Sequence, residues 1–84
     1  DKLILYHFIG CPFCSMVRAN ITRLGVDVEM RNIFEEPQYI DELIKARGRA
    51  TVPVLRIIAP DGTERWLPES RDIVRYLEKM LASK

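Results

Sequence analysis

The sequence predicts a small α/β domain in the order β-α-β-α-β-β-α, a four-stranded mixed sheet flanked by three helices. Three observations carry that expectation. The hydrophobic period switches between that of a strand and that of a helix along the chain, an Asp-Gly turn separates two of the strands, and glycines stand where two helices must stop. With 84 residues the chain has room for one core, so residues 1–84 are expected to form a single domain.

Residues 2–8, KLILYHF, are rich in Leu, Ile and aromatic residues and end just before Gly10, the pattern of a buried strand. From Pro12 the period changes. Phe13, Val17, Ile21 and Leu24 fall on one helical face, and Gly25 supplies the stop. Residues 26–33, VDVEMRNI, alternate Val26, Val28 and Met30 against Asp27, Glu29 and Arg31, the period of a half-buried strand. Glu35, Glu36 and Pro37 suit the opening of a second helix, with Tyr39, Ile40, Leu43 and Ile44 as its inner face and Gly48 as its end.

Residues 52–58, VPVLRII, and 64–67, ERWL, flank APDGT, where Asp61-Gly62 signals an antiparallel hairpin. After Pro68 a last helix opens with Glu69, Ser70 and Asp72 and turns Ile73, Val74, Leu77, Met80 and Leu81 inward. The first half is a βαβ unit, so its two strands are expected to be parallel with a right-handed crossover. Tyr6 and Trp66 read as packing residues.

About half of the residues are apolar, and thirteen basic side chains stand against twelve acidic ones, for a net charge of +1. That balance offers no electrostatic footprint for nucleic acid or a membrane surface. No apolar stretch nears the ~18–20 residues that span a bilayer, and no basic-then-apolar leader precedes the first strand. A monomeric cytoplasmic protein is expected.

Both cysteines lie in GCPFCSMV, residues 10–17, between the first strand and the first helix. A bridge between Cys11 and Cys14 would close too small a loop to stabilise the fold appreciably. Zinc needs four ligands and the chain offers only His7 beyond the thiols, so no metal centre is expected. Pro12 suits the first helical position, which puts Cys11 at the helix N-terminus, where free amides and the macrodipole favour a thiolate. Cys14 lies almost one turn further in. Position therefore makes Cys11 the exposed nucleophile and Cys14 the thiol that resolves its mixed disulfide. His7 is expected on the sheet face or rim, a bystander rather than a base.

With strand, CPFC and helix in that order, then TVPV at Thr51 to Val54 and LPES at Leu67 to Ser70, the whole chain resembles a glutaredoxin, in the thioredoxin-like fold. The resemblance implies a glutathione-dependent thiol–disulfide oxidoreductase with glutathione as cosubstrate, no tightly bound cofactor, and disulfide-bearing or glutathionylated proteins as partners. It implies Cys11 as nucleophile and Cys14 as resolving thiol, with Pro12 and Phe13 supporting them. Thr51, Val52 and Pro53 would line the glutathione site, Pro53 being cis and Val52 offering its backbone to the cysteinyl part as an added strand would.

Two features depart from that family. WLPESRDIVRYL is more similar to the glutathione-binding domain of glutathione transferases, where Glu69 and Ser70 would hold the γ-glutamyl end. Phe8 stands where glutaredoxins often carry Lys, so thiolate stabilisation would rest on the helix end, and Arg47, Arg49 or Arg71 would meet the glycyl carboxylate. Three alternatives stay open: a dithiol donor fed by thioredoxin reductase, a glutathione transferase N-terminal domain, and a module binding an iron–sulfur cluster through Cys11 and glutathione.

Overall fold

The computed structural model describes residues 1–82. Its elements are β1 (Lys2–His7), α1 (Pro12–Leu24), β2 (Glu29–Asn32), α2 (Pro37–Arg47), β3 (Val54–Ile58), β4 (Glu64–Leu67) and α3 (Ser70–Ala82). The strands lie in the order β2-β1-β3-β4, with β1 and β2 parallel and the other pairs antiparallel. This is the mixed four-stranded sheet that the sequence predicts.

Alternation along β1 sorts the core into two layers. Leu3 and Leu5 join Leu55 and Ile57 of β3 beneath Val17 and Ile21 of α1 and Ile73 and Leu77 of α3. Ile4 and Tyr6 join Val54, Ile33 and Leu43 of α2 on the opposite face. On that second face the Tyr6 hydroxyl donates to Glu42 Oε1 at 2.7 Å and accepts from Arg31 Nη1 at 3.2 Å and Arg56 Nη1 at 3.3 Å. Its ring meets Trp66 at 5.6 Å between centroids, so the packing role expected of both residues holds. No helix among the described residues is long and apolar enough to cross a membrane.

Two strand starts and two side-chain orientations differ from expectation. Strand β2 begins at Glu29 rather than Val26, because the Gly25 and Val26 amides bond back to Ile21 and close helix α1. Val26 and Val28 still pack against the core from the connecting segment, whereas Met30, expected inward, is exposed on this edge strand. Strand β3 begins at Val54 rather than Val52, since Pro53 has no N–H to give the ladder. Ile44, expected on the inner face of α2, is 49% exposed: Leu43 takes the core position and the next residue is turned roughly 100° away.

The hairpin forms over residues 59–63, where the Gly62 amide bonds the Ala59 carbonyl at 2.9 Å and Ala59 bonds Thr63 at 2.8 Å. Gly62 has φ +91°, a conformation side chains disfavour. Helix periodicity does not separate Leu43 from its neighbour, but unfolding does. In urea titrations Leu43→Ala is expected to cost about 2–5 kcal/mol, and Ile44→Ala to stay within about 0.5 kcal/mol of the native protein.

Candidate active site

Strand β1 ends at His7, and the chain turns through Gly10 (φ +99°) to deliver Cys11 as the N-cap of α1. Pro12 occupies the first turn as expected, and the Cys11 carbonyl accepts the first helical bond from Ser15 at 2.9 Å. The Cys14 amide points at Cys11 Sγ from 3.4 Å, so the sulfur takes the place an Asp or Ser oxygen usually fills at a cap. No acidic residue in the first turn competes for the positive helix end. Both thiols are free.

Cys11 is not the exposed residue expected of it. It is 7% accessible, because capping turns its sulfur inward over the helix amides. Phe13, expected on the inner face of α1, is instead 63% exposed: it stands in the first turn, and the inward positions of the helix go to Cys14, Val17 and Ile21. Cys14 is fully buried beneath the cap.

Environment drives the two thiols apart. Burial pushes Cys11 up, but the Cys14 amide, the Cys14 thiol, the Phe13 amide and the Arg18 charge outweigh it, and Cys11 titrates below its ordinary value. Burial also leads at Cys14, and there the hydrogen bond to the Cys11 sulfur and the charge of Cys11 act in the same direction, so its thiol is pushed up to about 11. One thiol is prepared to ionise and its neighbour to stay protonated.

Arg18 is the functional residue that the sequence reading passed over. Its Nη1 donates to the Phe8 carbonyl at 3.3 Å and meets His7 Nδ1 at 3.1 Å, and its charge favours both thiolates. It supplies from α1 the cation missing at Phe8, whose ring instead packs on Phe34 with centroids 5.1 Å apart. The signal was there: Arg18 lies four residues after Cys14, on the same helical face. His7, expected on the face or rim, is 5% exposed on the α1 side of the sheet, so the bystander reading misses its contact with Arg18.

A groove of about 300 Å³ lies beside the first turn of α1 and gathers Thr51, Val52, Pro53, Glu69 and Ser70, with Phe13, Arg47, Arg49 and Pro68. Segments far apart in sequence, those before β3 and at the head of α3, thus converge on one cleft. The Val52–Pro53 peptide is cis, as the resemblance implies. Pairing of β3 with β1 stops at Val54, which leaves the Val52 backbone outside the ladder. The Glu69 carbonyl accepts the first helical bond of α3 from the Ile73 amide at 2.9 Å, so Ser70 begins the helix. Arg47 Nη1 reaches Thr51 Oγ1 at 3.4 Å. Arg71 faces a neighbouring groove between α1 and α3 instead.

The family model for the glutathione S-transferase N-terminal domain matches residues 5–83. No curated protein matches the chain in sequence. Among solved structures, glutaredoxin 2 of Salmonella typhimurium in complex with glutathione is similar at 29% identity and a TM-score of 0.73, over 95% of this chain and 34% of its own. A trimeric glutathione transferase of Leishmania is similar at 29% identity and a TM-score of 0.70, over 94% of this chain and 18% of its own. This chain thus spans only a fraction of those two proteins. A wheat glutaredoxin shares the fold at 23% identity and a TM-score of 0.65, over 94% of this chain and 72% of its own. The thioredoxin-like fold expected from the motifs is the one observed.

Alkylation by iodoacetamide, followed against pH with mass-spectrometric localisation, reads the two thiols separately. Cys11 is expected to react with a midpoint below that of a free thiol, and Cys14 to react only as the pH nears about 11. Arg18→Met is expected to move the Cys11 midpoint upward and to slow its alkylation at neutral pH roughly three- to tenfold, through loss of a nearby cation.

Proposed function

The chain belongs to the glutathione S-transferase N-terminal domain family, and on that premise we propose that it is a glutathione-dependent thiol–disulfide oxidoreductase of the glutaredoxin type, working through Cys11 and Cys14. The observation that carries this reading is the placement of two neighbouring thiols, Cys11 capping the head of α1 with the Cys14 amide 3.4 Å from its sulfur and Cys14 fully buried beneath it. Conjugating glutathione to an electrophile uses the thiol of glutathione itself as nucleophile. A second protein thiol held beneath the first has no part in it, whereas disulfide exchange needs one thiolate to attack and one thiol to wait.

With a glutathionylated protein, the Cys11 thiolate attacks the glutathione sulfur, and a Cys11–glutathione disulfide forms as the protein thiolate leaves and takes a proton from solvent. A second glutathione thiolate attacks that bond, oxidised glutathione departs, and the Cys11 thiolate is restored. With a protein disulfide, Cys11 bonds to one target sulfur and releases the other. Cys14 then attacks the Cys11 sulfur, expels the remaining target thiol and leaves a Cys11–Cys14 disulfide, which two glutathione molecules reduce.

The surroundings of Cys14 time that second attack. While Cys11 is a thiolate, its hydrogen bond and its charge help to hold Cys14 protonated. Once Cys11 is in a mixed disulfide that charge is gone, and Cys14 loses its proton more readily. The resolving thiol is thus restrained until there is something to resolve.

The groove has the chemistry of a small zwitterionic peptide. Glu69 suits the ammonium of a γ-glutamyl group, and the head of α3 with the Ser70 hydroxyl suits its carboxylate. The unpaired Val52 backbone suits the cysteinyl unit, with Thr51 and Pro53 beside it, and Arg47 or Arg49 suits the glycyl carboxylate. Reduction at the expense of glutathione fits a reducing compartment such as the cytoplasm, where that pool is kept reduced. The family itself favours a second reading, the N-terminal domain of a transferase, and Cys14 is the residue that separates the two.

Reduction of a glutathione mixed disulfide, coupled to glutathione reductase and NADPH, tests the proposal. Activity is expected to vanish in Cys11→Ser and to persist in Cys14→Ser, while reduction of a protein disulfide is lost in both. Absence of glutathione-dependent turnover in the native protein, with turnover on thioredoxin reductase instead, would overturn the choice of electron donor. For the groove, Glu69→Gln is expected to raise the KM for glutathione roughly tenfold through loss of a charged hydrogen bond, with Cys11 alkylation unchanged.

A further inference from the structure

His7 lies in the last position of β1, 5% exposed, and belongs to neither the groove nor the thiol pair. Its backbone is committed to the sheet, with the carbonyl accepting from Ile33 at 2.9 Å. Its ring faces α1, where Nδ1 lies 3.1 Å from Arg18 Nη1. The same guanidinium nitrogen donates to the Phe8 carbonyl at 3.3 Å. The end of β1 and the residue after it therefore hold the histidine and the arginine together within two residues of chain.

A guanidinium has N–H donors and no acceptor. The contact with His7 is therefore a hydrogen bond only when Nδ1 carries a lone pair, which makes the ring neutral with its proton on Nε2. An imidazolium would set N–H against N–H and cation against cation. The charged groups that face the ring are Arg18 from α1 and Glu35 from the segment between β2 and α2, and burial with Arg18 holds His7 below its ordinary value despite Glu35. Enclosed and tied to Arg18, His7 has no route to a substrate as a base.

We propose that His7 is a positioning residue for the dithiol, its Nδ1 and the Phe8 carbonyl together fixing the Arg18 guanidinium where its charge stabilises the Cys11 thiolate. An arginine side chain on a helix has many rotamers, and only those near the thiols help. The buried His7 ring at the end of β1 and the Phe8 carbonyl just beyond it select that set. The device deepens the functional reading above and rests on it only in taking Cys11 as the attacking thiolate.

The test is the pH dependence of Cys11 alkylation by iodoacetamide in the full chain, located by mass spectrometry, with circular dichroism and urea midpoints to check folding. His7→Leu removes the acceptor and is expected to move the Cys11 midpoint upward, as Arg18→Met does, with alkylation at neutral pH slowed roughly three- to tenfold. The His7→Leu/Arg18→Met double variant should go no further than Arg18→Met alone. A folded His7→Leu with the native midpoint, or a double variant that sums the two shifts, would overturn the proposal.

Should His7→Leu not fold, His7→Asn and His7→Gln decide. Asn offers its oxygen near the Nδ1 position and is expected to keep the low midpoint, Gln offers it near Nε2 and is expected to lose it, and equal midpoints would sink the idea. Nitrogen NMR of the native protein should find His7 neutral with the proton on Nε2; a proton on Nδ1 would refute the contact. Alkylation needs no glutathione. A shifted midpoint beside absent glutathione turnover therefore supports the His7 role and overturns the functional reading, and a native midpoint beside full turnover does the reverse.

Discussion

Strand β1 is buried along its length from Leu3 to His7, with no face turned to solvent. A strand of that kind needs a layer of helix on each side, and the molecule is arranged to provide both. Helices α1 and α3 close over Leu3 and Leu5, and α2 closes over Ile4 and Tyr6. The parallel crossover that returns the chain to β1 as β2 carries α1 across one face, so the first turn of α1 must start at the end of β1. Burial of one strand thereby fixes where Cys11 is delivered.

The chemistry of the site grows from that junction. A chain leaving a buried strand and entering a helix brings the unpaired amides of the helix head to the sheet rim, and Cys11 meets them as the cap. One turn further, Cys14 points into the layer between α1 and the sheet and is desolvated there. Thiols three residues apart are thus both buried, yet the Cys11 sulfur faces the amides of the helix head while Cys14 lies beneath it, and the difference in their acidities follows from that backbone geometry. Arg18, another turn along the same face, adds its charge to both.

The elements were legible because their signals are local. Gly25 and Gly48 do adopt the left-handed cap conformation that their positions suggest, and Asp61-Gly62 does turn the hairpin. Where the reading failed, a competitor lay outside the window. Val26 alternates with Val28 as a strand residue should, yet its amide is taken by the Ile21 carbonyl. Ile44 and Phe13 satisfy a helical period, yet among the described residues no partner surface covers them. Periodicity names a face and not its neighbour.

By itself the sequence determined the order of the elements, the place of the two cysteines at a strand-to-helix junction, and the kinds of residue available to a peptide-binding cleft. Those properties depend on contacts within a turn or two of chain. Tertiary structure alone decided that Thr51, Val52 and Pro53 share a groove with Glu69 and Ser70, that Cys11 is sheltered, and that His7 and Arg18 stand together beside the thiols. Each of these joins segments from different elements, and only the packing of α1, β3 and α3 around β1 sets the distances between them.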